Sequence, residues 1–236
     1  MKQTKEYYDN YSGWYEKRKE MRYHLLIDEL ESDLVKRYTS GKMVLDAGCG
    51  NGVILNRVKG FAKDTFGIDL SLQMLKRAKE NSSKLVQARI EELPIKENSF
   101  DAVYSFKVLP HVPRIEKAIE EMAKVINKNG HLILEFYNPY SLRHLIKLLK
   151  RPSKVSEDTR DDEVFTRFDS YAKIKRIIPD YLKIEAVRGV RIFTPVSYVH
   201  EIPVISNIFR FLERFFCDSP LKFFAGFLIV VLAYKD

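Results

Sequence analysis

Three glycines in alternate positions, Gly48, Gly50 and Gly52, stand just behind the apolar pair Val44 and Leu45 in the stretch VLDAGCGNG. Glycine carries no Cβ, so a ligand can lie against the backbone of such a loop, and a glycine loop at the end of a strand is a common nucleotide seat. The spacing narrows the ligand. A dinucleotide fingerprint reads G-x-G-x-x-G, its third glycine letting helix and strand pack closely, but here Val53 holds the third place. A phosphate-binding P-loop needs Gly-Lys-Ser/Thr, which does not follow. Asp46, two residues before the first glycine, would repel a diphosphate. An acid at that point suits a ligand with positive charge and no phosphate.

The segments around the loop alternate. HLLIDELESDLVKRY places Leu25, Leu26, Leu30, Leu34 and Val35 at helical spacing, and Ser40-Gly41 stops that helix. KMVLDA reads as a strand, and the loop then opens a helix carrying Val53, Ile54 and Val58. DTFGIDL is a second strand, followed by a helix with Ser71 as N-cap; KLVQA is a third and FDAVYSF a fourth. IEKAIEEMAKVI is a helix with Asn129-Gly130 as its stop, and HLILEFY a fifth strand. This pace of strand and helix predicts an α/β fold, a doubly wound, mostly parallel sheet whose ligand lies beyond the carboxyl ends of the strands.

Beyond Tyr137 the alternation breaks. SLRHLIKLLKR is an amphipathic helix with Leu142, Leu145, Ile146 and Leu149 on one face and Arg143, His144, Lys147, Lys150 and Arg151 on or near a polar one. PSKVSEDTRDDE reads as a loop, FDSYAKIKRII as a helix, YLKIEAVRGVRI as a strand and NIFRFLERFF as a second amphipathic helix. The apolar run FFAGFLIVVLAY is too short to span a bilayer and reads as a buried closing strand.

VLDAGCGNG resembles the first motif of the class I S-adenosylmethionine-dependent methyltransferases, acid-x-Gly-x-Gly-x-Gly. That cofactor carries a sulfonium, an ammonium and a carboxylate, which an acid beside exposed backbone amides complements. The second family mark is an acid ending strand two that grips both ribose hydroxyls. GIDLS supplies Asp69 there, 17 residues after Gly52. The stretches ARIEELPIKENSFDAVYSFKVLPHVP and HLILEFYNP resemble the family's strands three to five, and YYDNYSGWYEKR resembles the N-terminal helix of its quinone-biosynthesis-like branch. The resemblance covers most of residues 7–140.

It implies a Rossmann-like, seven-stranded methyltransferase domain over 1–236, with an N-terminal helical cover (1–40), a cofactor-binding core (41–139) and substrate-lid insertions at 140–180 and 193–220, after strands five and six. S-adenosylmethionine is the implied cofactor and S-adenosylhomocysteine its product. The cofactor contacts carried over are Asp46, Ala47, Gly48, Gly50, Asp69, Leu70, Met74, Ile90, Glu91, Ser105 and Phe106, with Tyr15 and Arg18, beside Tyr7, closing over them. The family commonly opens the loop after strand three with an Asp that holds the adenine amino group. Here that place is Arg89, a donor only, which either stacks on the adenine or points to solvent while Ile90 and Glu91 do the adenine work. His111 is the candidate general base, or packs behind the site; Lys107, Tyr137 and Arg143 are candidate substrate contacts. NPY, Asn138 to Tyr140, follows strand five and has one proline, unlike the motif of nucleic-acid amino-methyltransferases, and reads as a turn into a helix capped by Ser141.

Composition sets the remaining bounds. A 45% hydrophobic chain of 236 residues can bury one sizeable core. Cys49 and Cys217 form neither a disulfide framework nor a metal spacing, and no metal is expected. The polar N-terminus MKQTKEYYDNYSG carries no secretory pattern, so a cytoplasmic protein is expected. The charge of +8 favours anionic partners but is not gathered into one basic block. The resemblance implies methyl transfer to an O, N or C nucleophile. The basic face of RHLIKLLKR, with the apolar PVSYVHEIPVISNIFRFLERFFC, suits a small-molecule, amphiphilic or lipid-linked acceptor, met in part at a membrane surface. A tRNA or rRNA methyltransferase is the alternative, weakened by the lack of an appended RNA-binding module. A non-catalytic cofactor binder is a third reading, opposed by the intact set Gly48, Gly50 and Asp69.

Overall fold

The computed structural model describes residues 22–79, 84–149 and 165–235. Seven strands, β1 (Met43–Ala47), β2 (Asp64–Asp69), β3 (Leu85–Gln87), β4 (Phe100–Ser105), β5 (Ile126–Tyr137), β6 (Leu182–Val190) and β7 (Phe227–Tyr234), form one sheet in the order β3-β2-β1-β4-β5-β7-β6. The strands from β3 to β5 are parallel, and β7 runs antiparallel to both β5 and β6. The strand order reverses between β1 and β4, and the glycine loop sits there, the position at which open α/β sheets bind ligands.

Helices cover both faces because the strands alternate their side chains. On one face Leu132, Leu134 and Phe136 of β5 meet Leu228, Val230 and Leu232 of β7 and the helix α4 (Ile115–Val125). That helix buries Ile115, Ala118, Ile119 and Met122, each large side chain contributing about 1.5–3 kcal/mol. On the other face Ile133, Ile229 and Val231 meet α1 (Arg22–Thr39), whose Tyr23, Leu26, Ile27, Leu30 and Leu34 recur at helical spacing. Flanking the loop are α2 (Val53–Lys59) and α3 (Leu72–Ala78), the latter capped by Ser71, whose hydroxyl accepts the Met74 N–H at 3.1 Å. Later come α5 (Leu142–Leu149), α6 (Tyr171–Ile177) and α7 (Pro203–Phe216).

One sequence expectation needs correction. The helix before β5 stops at Val125, not at Asn129-Gly130; the chain enters β5 at Ile126 and carries Asn129 and Gly130 inside the strand. There the register with β4 shifts, and a Cβ on Gly130 would lie 2.8 Å from the Asp101 carbonyl, so that glycine permits close strand approach. The amphipathic helix α5 is inverted relative to usual packing, its apolar face turned outward. Leu142, Leu145 and Leu148 are exposed, while the Arg143 guanidinium lies 4.7 Å over the Tyr137 ring and the His144 ring 4.1 Å from that of Phe168. Planar charged groups pack well on aromatic faces, and here they anchor the helix.

The same inversion holds in α7. Its buried residues are Ser206 and Glu213, and the Glu213 carboxylate accepts the backbone N–H groups of Ile192, Phe193 and Thr194 at 2.8–3.0 Å. Arg210 and Arg214 pair with Glu29 of α1. Val204, Ile208, Phe211 and Phe215, one helical face, are left in solvent. No helix among the described residues is long and apolar enough to cross a membrane.

Candidate active site

A cleft of about 160 Å3 opens at the carboxyl ends of β1, β2 and β4. The glycine loop forms its floor. Gly48, Gly50 and Gly52 have φ of +98°, +53° and +80°, a region that side chains disfavour. The N–H groups of Gly48 and Cys49 both donate to the Ile68 carbonyl, at 2.7 and 2.9 Å, drawing the loop over the end of β2. A Cβ on Gly48 would lie 2.2 Å from Val108 Cγ2, so the loop also needs glycine to pass the segment after β4.

Asp69 ends β2 beside this floor. Its carboxylate accepts the Gly50 N–H at 2.8 Å on one oxygen and the Ser71 N–H at 2.8 Å on the other. A carboxylate has about four acceptor sites, and these two bonds fix its orientation. Asp46 lies deeper, 3% exposed, and accepts the Tyr104 hydroxyl at 2.9 Å. Burial pushes its carboxyl up to about 8, against the Tyr104 hydrogen bond, and the nearby Asp69 charge adds to the rise. At neutral pH it is therefore an acid waiting for a cation.

Leu70, Met74, Ile90 and Glu91 line one wall, and Phe106, Lys107 and His111 another. Arg89 also lines the cleft and sits 3.4 Å from the buried Glu91 carboxylate, an ion pair that accounts for an arginine at this position. His111 Nδ1 lies 2.8 Å from the Phe165 carbonyl, an acceptor, so Nδ1 carries the proton and Nε2 is the basic nitrogen. Burial lowers the His111 pKa and keeps the ring neutral.

Several candidate residues stand elsewhere. Ala47 and Ser105 are fully buried behind the floor, where the Ser105 hydroxyl donates to the Ala47 carbonyl at 2.7 Å. Lys107 lines the cleft, but its ammonium pairs with Asp28 and Glu31 of α1 at 3.1 and 3.0 Å. Tyr137 and Arg143 lie outside the cleft wall, with the Tyr137 ring meeting the His111 ring at 5.9 Å. Tyr7, Tyr15, Arg18, Lys150 and Arg151, and the loop at 152–163, lie outside the described residues.

The sequence reading passed over Tyr104, Val108 and a buried acid cluster. Glu31 and Glu135 are both fully buried, and Glu135 accepts the Lys107 N–H at 3.2 Å. Burial raises the pKa values of both carboxyls, against the nearby Lys107 ammonium, which lowers them. A glutamate inside the apolar strand HLILEFY was a visible signal for it. Among the described residues no group of three or more His, Cys, Asp or Glu side chains could hold a metal ion.

A family described as a methyltransferase domain matches residues 45–134. The chain is 28% identical, over 95% of its length, to an uncharacterized protein of Methanocaldococcus jannaschii, of which it spans 88%. It is 24% identical, over 80% of its length, to the ubiquinone biosynthesis O-methyltransferase of Chromobacterium violaceum, spanning 85% of that protein. The fold is similar to a crystal structure of an S-adenosylmethionine-dependent methyltransferase from Thermotoga maritima, with a TM-score of 0.69 at 16% identity, covering 97% of this chain and 98% of that one.

Proposed function

We propose that this chain, which belongs to the class I S-adenosylmethionine-dependent methyltransferases, passes the methyl group to a small acceptor with an apolar portion. The observation that carries the cofactor side is Asp69, oriented by the Gly50 and Ser71 amides beside a floor of left-handed glycines. That donor set fits the cofactor: a bidentate acceptor for two ribose hydroxyls, and the buried acid Asp46 for its positive charge. In this reading Leu70, Met74, Ile90 and Glu91 hold the adenine end, Gly48, Gly50 and Phe106 the methionine end, and Ala47 and Ser105 brace the floor from behind.

The bound cofactor supplies a methyl group already activated on a sulfonium. The chain's work is then to hold the nucleophile in line and keep water out, which can account for most of the acceleration. His111 offers Nε2 to an acceptor that must lose a proton. On this assignment His111→Asn lowers kcat about 100-fold and leaves S-adenosylhomocysteine affinity unchanged; an unchanged kcat would give the ring a packing role only.

The acceptor side is read from 140–180 and 193–220, which we assign as its lids. Leu145 and Leu148 of α5, and Phe211 and Phe215 of α7, are 55–69% exposed on faces turned away from the protein. Such faces suit an oily acceptor met at a lipid surface, and a ubiquinone-pathway relative is consistent with that chemistry. Calorimetry with S-adenosylhomocysteine tests the cofactor half: binding is expected, with at least a roughly tenfold loss in Asp69→Ala, and no binding, or no effect of the substitution, defeats it. Labelled methyl transfer into a fractionated cell extract tests the acceptor half. Label is expected in the lipid or small-molecule pool, and label confined to RNA would overturn it.

A further inference from the structure

Past the cleft wall at His111 stands Tyr137, and Arg143 lies over the Tyr137 ring. The Arg143 guanidinium is 4.7 Å from the Tyr137 ring and 5.2 Å from that of Phe227. Its Nη1 is buried with no hydrogen-bond partner, and among the described residues no carboxylate pairs with it. A second arginine stands beside it. A Cβ on Gly226 would touch Arg143 Cδ at 3.2 Å and Arg191 Cδ at 3.3 Å, so the two side chains flank one glycine. Arg191 lies over the Tyr23 ring, donates to the Thr194 and Pro195 carbonyls through its Nε and Nη2, and takes φ of +67°, unusual for a residue with a side chain. Two guanidinium groups repel one another, and an unpaired buried N–H is costly. Aromatic faces soften that cost but do not supply an acceptor for Nη1. A planar anion with two oxygens does, because guanidinium binds carboxylate and phosphate through paired N–H bonds.

We propose that Arg143 and Arg191 form a subsite for an anionic group, a carboxylate or phosphate, on the methyl acceptor. This rests on the acceptor-side reading above. Tyr137 touches both the cleft residue His111 and Arg143, so the subsite adjoins the cleft wall. Gly226 matters because any side chain at that position would push both arginines apart.

The carboxylate could also be the cofactor's own methionine carboxylate, and the test separates the two. Benzoate and phenyl phosphate, with neutral benzamide as control, are titrated into the protein with and without S-adenosylhomocysteine, followed by calorimetry. Both anions are expected to bind at least about tenfold more tightly than benzamide, and Arg143→Gln and Arg191→Gln each to weaken them at least about fivefold. Affinity for S-adenosylhomocysteine should stay within about twofold in both variants. Equal binding of anion and amide, or anion binding untouched by Arg143→Gln, overturns the subsite. A matching loss of S-adenosylhomocysteine affinity reassigns it to the cofactor and overturns the acceptor claim. Arg191 also holds two carbonyls, so Arg143→Gln carries the test if Arg191→Gln fails to fold. Should S-adenosylhomocysteine not bind at all, the cofactor reading falls, and anion selectivity in the unloaded protein still decides the subsite.

Discussion

Replacing Asp46 by Asn should stabilise the protein more the higher the pH, between pH 4 and pH 8. Asp46 is buried, and its carboxyl is carried from an ordinary 3.8 up to about 8. In the unfolded chain the proton leaves near pH 4, whereas in the fold it stays to about pH 8. Across that window the folded state binds the extra proton, so this group's contribution is fully present below pH 4 and is lost as pH rises toward 8. At about 1.4 kcal/mol per pKa unit, the whole excursion is on the order of 5 kcal/mol. Asparagine keeps an oxygen for the Tyr104 hydroxyl but has nothing to titrate. Urea unfolding of both proteins at pH 5, 6, 7 and 8 isolates the effect, because other titrating groups cancel in the difference. The stability difference should move in favour of Asp46→Asn by about 1 kcal/mol for each pH unit. A difference that stays constant across the series would refute the placement of a neutral, buried acid under the glycine loop. Ligand binding gives a second reading: a cation seated beside Asp46 drives off its proton, so S-adenosylhomocysteine affinity should rise with pH in the parent and stay flat in the variant.

Gly48→Ala forces a Cβ to within 2.2 Å of Val108 Cγ2 at φ +98° and should cost about 2–4 kcal/mol in thermal unfolding, with part of the loss recovered by adding Val108→Ala. Lys107→Met removes the cation from between Asp28 and Glu31 and should cost about 3 kcal/mol at pH 7. The loss should shrink as pH falls, because burial raises the Glu31 and Glu135 pKa values and protonation relieves the charge left unpaired; chemical denaturation across a pH series checks it. Glu213→Ala leaves three backbone N–H groups and the Thr194 hydroxyl without their acceptor and should cost at least about 3 kcal/mol, read by the midpoint of urea unfolding.

Local pattern determined a large part of this protein. The alternation of apolar strands and amphipathic helices was enough for the doubly wound sheet, since burying one face of each element leaves few arrangements. Alternate glycines preceded by Asp46 and followed by Asp69 marked the cleft, because left-handed backbone and a carboxylate at a strand end are requirements a sequence must write out. Ser71 and Ser141 read correctly as caps for the same reason: a cap acts within four residues.

Tertiary structure decided what depends on partners far along the chain. Arg89 was ambiguous until Glu91 stood against it, and Lys107 became an ion-pair partner only because α1 brings Asp28 and Glu31 across the end of β4. Both amphipathic helices beyond residue 140 have an apolar and a polar face in sequence, yet periodicity does not say which face turns inward. In α7 the buried Glu213 carboxylate, and in α5 the stacking of Arg143 on Tyr137 and Phe227, outweigh the apolar stripe and leave it in solvent. A pattern can announce that two faces differ; only the donors and rings waiting on the neighbouring strands determine which of them is worth more to bury.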